Sequence, residues 1–226
     1  VISEKLKDKK EVLANIYNTY LLREIKEIMQ VTSVFSLEKL AKALALQIGG
    51  LVNYSEISEI TGLPYRDIIK NLDILENTFV CKRALPFYNN RRTELTKTPK
   101  VFFCDNGLRN SILGEFAELG SRSDAGNLNE NFVASELIKA ELPLNYWRTK
   151  SKAEVDFIVR GIPIEVKSSL SSERTTKSLM SFLEKHKSGR AIIASYHLKS
   201  MKKAGSCDIH YEPLYNIPKI LTEFFA

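Results

Sequence analysis

No stretch of this sequence stays apolar for the ~18 residues that a membrane span needs, and no charged-then-apolar leader of the secretory kind opens it. A soluble, cytoplasmic protein without membrane contact is expected. The three cysteines, Cys81, Cys104 and Cys207, are odd in number and widely spaced, with no Cys-x-x-Cys, which fits a reducing compartment. His186, His197 and His210 also miss any zinc spacing, so a histidine or cysteine metal site is not expected. There is no Gly-x-x-x-x-Gly-Lys-Ser/Thr, so the stretch carries no phosphate loop of its own. The first residue is Val1 rather than Met, and the expectation is a portion of a longer protein.

With 226 residues, 44% of them hydrophobic, the chain can bury one large core or two modest ones, and two are expected from ordinary domain sizes. The net charge of +6 leans towards nucleic acid. That excess is spread thinly: 6 basic to 5 acidic residues over 1–32, 12 to 10 over 33–122, and 15 to 12 over 123–226.

The most informative stretch is Glu154 to Ser168, where two alternating runs flank Arg160-Gly161. Period-two alternation around a glycine reads as a β-hairpin. If Arg160-Gly161 is the loop, Val159 pairs with Ile162, and counting outward puts Asp156 opposite Glu165 and Glu154 opposite Lys167. Val155, Phe157, Val159, Ile162, Ile164 and Val166 then share the other face, which is expected to meet the core. Opposed carboxylates destabilise a strand pair. A divalent cation, a shared proton or solvent exposure would each relieve them, and Lys167 lies on the same face.

Upstream, residues 4–29 carry a broad apolar stripe through Leu6, Leu13, Ile16, Tyr17, Tyr20, Leu21, Ile25 and Ile28, and read as a helical connector. From Ser36 the pattern is three helices broken at Gly49-Gly50 and Thr61-Gly62, then strands over Phe79–Leu85 and Lys100–Phe103. That is the order of a winged helix. Its third helix sets Arg66 and Lys70 against Asp67, Asp73 and Glu76, a poor basic reader. Its wing is different, because Lys82, Arg83, Arg91, Arg92, Lys97 and Lys100 face only Glu94. This basic segment is either a phosphate-contacting loop or a solvated hairpin of a protein-interaction module.

Ser121 to Gly126 is small and polar, the best domain boundary in the chain. In the helix that follows, Glu130 falls inside the arc of Val133, Ala134, Leu137, Ile138 and Ala140 at 100° per residue. An acid on a packing face needs a partner, and the charged face of the hairpin offers one. A strand bearing Trp147, the hairpin, a helix from about Glu173 to Lys187, strands at Ala191–Ser195 and Asp208–Tyr211, and a last helix complete the pattern.

This order, with Glu130 in the first helix, Asp156 in the second strand and Glu165-x-Lys167 in the third, resembles the PD-(D/E)XK nuclease superfamily. Val155-Asp156 stands where that pattern has Pro-Asp. More widely, Tyr20-Leu21-Leu22-Arg23-Glu24-Ile25, Pro99 to Leu108, Glu130-Asn131-Phe132-Val133, Tyr146-Trp147-Arg148-Thr149 and the hairpin resemble the C-terminal domain that follows an AAA-type ATPase domain in many archaeal and bacterial proteins.

The resemblance implies an α/β chain in three parts. Residues 1–32 form a connector from an upstream ATPase domain, which alone would hold ATP. Residues 33–122 form a winged-helix domain, and 123–226 a restriction-endonuclease-like α-β-β-β-α-β domain with a mixed central sheet. It also implies Mg²⁺ on Asp156, Glu165 and Glu130, with Lys167 assisting a phosphodiester cleavage, and DNA as the expected nucleic acid. The alternatives kept open are a catalytically idle module of the same fold that binds DNA or protein or self-associates, and a plain structural domain in which the hairpin charges are a solvated face.

Overall fold

The structure, a computed structural model, describes residues 6–19, 33–88 and 98–225. Tyr20, Leu21, Ile25 and Ile28 of the expected connector, and Arg91, Arg92 and Lys97 of the expected wing, lie outside the described residues. The protein is α/β and divides into two compact units, residues 1–83 with 100–122 and residues 84–99 with 123–226. Ala84–Pro99, assigned from sequence to the first domain, groups with the second unit.

In the first unit, helix α1 (Leu6–Ile16) precedes α2 (Val34–Leu46), α3 (Tyr54–Thr61) and α4 (Tyr65–Asn77). Ser33 caps α2 by accepting from the Ser36 N–H, and Asn53 caps α3 by accepting from Glu56. Gly62 ends α3 at φ 71, a left-handed position that suits glycine. The chain then enters β1 (Cys81–Pro86), followed by β2 (Lys100–Phe103) and α5 (Asn106–Leu113), which Asp105 caps. Leu40, Leu44, Ile57, Ile68, Leu72 and Phe103 are fully buried among these elements and form the unit's core.

The second unit runs α6 (Ala125–Lys139), β3 (Asn145–Arg148), β4 (Glu154–Val159), β5 (Ile162–Val166), α7 (Lys177–His186), β6 (Arg190–Ser195), β7 (Ser200–Ala204), β8 (Cys207–Pro213) and α8 (Ile217–Phe225). The end of β1 pairs in parallel with β3, and the sheet continues in the order β3-β4-β5-β6-β8-β7. It is mixed: β5–β6 and β6–β8 are parallel, whereas β3–β4, β4–β5 and β7–β8 are antiparallel.

The β4–β5 pairing is Val159 with Ile162, Ile158 with Pro163 and Phe157 with Ile164. Arg160 at φ 50 and Gly161 at φ 85 make the two-residue turn between them. Two positive φ values define the primed turn whose twist matches a hairpin. Against β3 the same strand bulges, because Asn145 faces Ile158 while Trp147 faces Val155, leaving three steps on β4 opposite two on β3. Asp156 and Phe157 sit in that bulge.

Strand β5 is buried on both faces, while Glu154 and Asp156 of β4 are half-buried. Every residue of β5 is buried, Pro163 and Glu165 included. Val155, Ile158, Ile193 and Tyr211 pack with Leu179, Phe182 and Leu183 of α7. Glu165 is in register with Ile193, so it shares that α7-covered face rather than the one expected to meet α6. The bulge also brings Val155 and Ile158, an odd number of residues apart, to one side, which strict alternation would separate.

Candidate functional site around Glu165

The site is built at the end of β5 from four elements. Glu165, next to last in β5, has a side chain only 2% exposed. Its Oε1 accepts a hydrogen bond of 2.5 Å from the Thr176 hydroxyl. Thr176 is the N-cap of α7 and accepts in turn from the Leu179 N–H at 3.1 Å, so one side chain starts the helix and holds the acid. Glu165 Oε2 is buried without a hydrogen-bond partner. The Lys167 ammonium lies 3.6 Å from it, an ion pair at a length beyond a hydrogen bond. The Lys167 side chain is 38% exposed, so the acid is inside and its cation opens to solvent.

Asp156 meets the same strand end. Ladder pairing of β4 with β5 stops at Phe157–Ile164, and beyond it Asp156 Oδ2 accepts the Val166 N–H at 2.8 Å. A side-chain carboxylate thus satisfies a backbone donor where the ladder ends. On β5's other side, the Lys167 N–H donates to the Ala194 carbonyl of β6 at 2.8 Å.

Burial pushes the Glu165 carboxyl above the ordinary carboxylate range. The Thr176 hydroxyl and the Lys167 cation pull it back, and the Asp156 charge pushes it further up. Desolvation outweighs the rest.

Glu130 lies half-buried in the first half of α6, between buried Asn129 and Asn131. Among the described residues no group of three or more His, Cys, Asp or Glu side chains is disposed to hold a metal ion. The structure thus brings Asp156 and Glu165 together with Lys167, two of the three acids expected to hold Mg²⁺, and places Glu130 on α6. On α6 the arc through Val133, Ala134 and Leu137 is buried as expected, and burial spreads beyond it to Leu128, Asn129, Asn131 and Ser135.

Asn129, which sequence reasoning passed over, is an α6 residue that reaches the strand end. Its amide donates to Ser168 Oγ at 3.2 Å, and its carbonyl accepts from the Tyr196 hydroxyl at 2.7 Å. Thr176, Ser168 and Tyr196 were also missed. Asn-x-Asn around Glu130 on a helix of mixed polarity was the one available signal, since buried amides need partners.

The expected nucleic-acid contacts of the first unit change more. Lys100 is 2% exposed inside β2, too buried to meet a phosphate. Arg83 donates from Nε to Glu76 at 2.6 Å and from its terminal nitrogen to Asp73 at 2.7 Å. The acids that spoil α4 as a basic reader thus neutralise Arg83. Lys82 is half-buried with its ammonium 5.8 Å from the centre of the Phe79 ring.

Fold and site together define an α/β protein with an acid pair and a lysine gathered at the end of a central strand. Residues 1–119, more than half of the chain, match the family described as a domain of unknown function, DUF8612, and the chain belongs to it. Residues 125–214 match a second family so described, DUF4143. An uncharacterized protein of Haemophilus influenzae is 31% identical over 157 residues, 67% of this chain and 38% of that protein. Uncharacterized proteins of Mycobacterium tuberculosis and Mycobacterium bovis are each 26% identical over 172 residues, 72% of this chain and 39% of theirs. The chain spans about two fifths of the length of these curated relatives. No solved structure matches it.

Proposed function

We propose that the second unit is a restriction-endonuclease-like domain with a Mg²⁺-dependent phosphodiesterase site at Asp156, Glu165 and Lys167, and that the first unit is its winged-helix partner. The observation that supports this most is Glu165 Oε2, a buried carboxylate oxygen with no hydrogen-bond partner, facing the Lys167 ammonium across 3.6 Å. A buried acceptor left unsatisfied is costly, and a cation-binding role accounts for it. Mg²⁺ is commonly held by one or two carboxylates with water and substrate phosphate completing the shell, so two acids fit it without a third.

Bound between Asp156 and Glu165, Mg²⁺ would make a coordinated water more acidic and offset charge developing on phosphorus. Lys167, the exposed member, would face the phosphate and stabilise its oxygens. In the cleavage, a water oxygen bonds to phosphorus, the bond from phosphorus to one ester oxygen breaks, and that oxygen takes a proton while the attacking water gives one up to solvent.

The wider reading follows the resemblance. The chain would act on nucleic acid, DNA being expected, as the C-terminal part of a longer protein whose AAA-type domain holds ATP. The length of the curated relatives leaves room for such a domain in them.

A second reading, a catalytically idle module, draws on the hydrogen bonds that occupy Asp156 Oδ2 and Glu165 Oε1. Titration calorimetry with Mg²⁺ and Mn²⁺ separates the two. Uptake by the wild type that is lost in Asp156→Asn, with cleavage of DNA or RNA lost in Lys167→Ala, is the expected result. Equal failure of wild type and Asp156→Asn to take up metal would leave the idle module standing.

A further inference from the structure

At the far end of α7 from Thr176, the second unit has a cavity of about 490 Å³ that the acid pair does not use. Its walls are aromatic, from Phe87, Tyr88, Trp147 and His186. Three cations, Arg148, Lys150 and Lys185, and Thr149 complete the lining, with no acid among the described residues there. Its volume falls within the roughly 300–1,000 Å³ of small-molecule sites.

The rings are held in place by one another. The His186 ring stacks on Phe182 at 4.5 Å between centres, and Trp147 meets Phe182 edge-on at 5.4 Å. Phe87 meets His186 edge-on at 5.5 Å. Such pairs fix ring orientation as well as adding stability. Of the cations, Arg148 is held by Glu154 at 3.0 Å, while Lys150 and Lys185 are exposed.

We propose that this cavity binds a nucleotide, with its base against the aromatic walls and its phosphate on Lys150, Lys185 and Arg148. Bases of any sequence stack on aromatic side chains, while phosphate gives the exposed Lys150 and Lys185 an anion. A purely apolar ligand would leave the lysines idle, and a bare anion would leave the rings so. Burial, with the Lys185 charge adding to it, pushes the His186 imidazole down, which favours its neutral, stacking form. The ten residues of α7 rise about 15 Å between this cavity and the Thr176–Glu165 contact, so the two sites can be tested apart.

Trp147 is the single tryptophan of the chain, which makes its fluorescence a reporter of this cavity. The 226-residue protein is titrated with AMP, adenosine, ribose 5-phosphate and a four-nucleotide DNA in EDTA, which removes the metal site from the result. AMP and the oligonucleotide are expected to change the emission saturably, with adenosine and ribose 5-phosphate at least tenfold weaker than AMP. Lys150→Ala with Lys185→Ala should weaken AMP at least tenfold, and Asp156→Asn should not alter it. Tighter binding of the oligonucleotide than AMP identifies a strand as the source of the nucleotide; equal binding identifies the free nucleotide. Absence of saturable change with both, or AMP binding unaltered in the double lysine variant, overturns the proposal and leaves the reading of Glu165 untouched.

Discussion

Glu165 sets a pH dependence that can be read directly. Its carboxyl is raised by burial, so as pH climbs past the ordinary carboxylate range the unfolded chain releases this proton while the folded chain keeps it. The folded state then binds more protons, and stability falls with rising pH until Glu165 itself ionises in the fold. Thermal denaturation across that window should show a downward slope in the wild type that Glu165→Gln flattens. Thr176→Ala removes the hydroxyl that favours the ionised form, so the slope should extend to higher pH; the lost helix cap should cost about 1 kcal/mol besides. By the same proton, metal uptake should strengthen as pH rises through the folded value, because the cation needs the carboxylate. A wild type and Glu165→Gln with parallel profiles would count against the buried acid as the titrating group.

The hairpin makes a prediction at the scale of the element. Gly161 has φ 85, and a Cβ added there would meet nothing within 4 Å. The cost of Gly161→Ala is therefore conformational alone, about 1–2 kcal/mol for a left-handed position, measurable by denaturant unfolding. A change near zero would mean that the turn relaxes. Arg160 occupies the other left-handed position at φ 50, with its guanidinium 4.6 Å from the centre of the Phe225 ring. That contact is what the more favourable Asn-Gly loop would give up. The edge strand β7 was not legible in the sequence for a related reason. It reads Ser-Met-Lys-Lys-Ala, exposed along its middle, without the alternation that marks a half-buried strand. Lysines there guard a sheet edge against further pairing.

For the molecule as a whole, the charge of +6 supports salt-dependent binding to nucleic acid, although two of the six expected contacts are engaged elsewhere. Arg83 serves Glu76 and Asp73, and Lys100 is buried. Of the proposed phosphate contacts, Arg91, Arg92 and Lys97 with Lys82 are then the ones to test. Replacing Arg91 and Arg92 by alanine should reduce the slope of log affinity against log salt by nearly 2, close to one per phosphate contact. Fluorescence anisotropy with a duplex at several salt concentrations measures it, and an unchanged slope would move the interface away from this segment.

The sequence by itself determined what neighbouring residues decide. The pairing of Val159 with Ile162 and the turn at Arg160-Gly161 follow from alternation and from glycine's tolerance of positive φ, both properties of a few adjacent residues. Apart from β7, the order of helices and strands in the second unit was legible for the same reason, its elements having clear periods and breaks. Only the tertiary structure decided which side of the hairpin α7 covers, that Thr176 meets Glu165, and that Asn129 joins Ser168 to Tyr196, which lies 67 residues beyond Asn129. Those contacts depend on how separate elements stack, and a buried carboxylate takes whatever donor the packing brings to it, whereas pattern reading assigns it the partner that periodicity suggests.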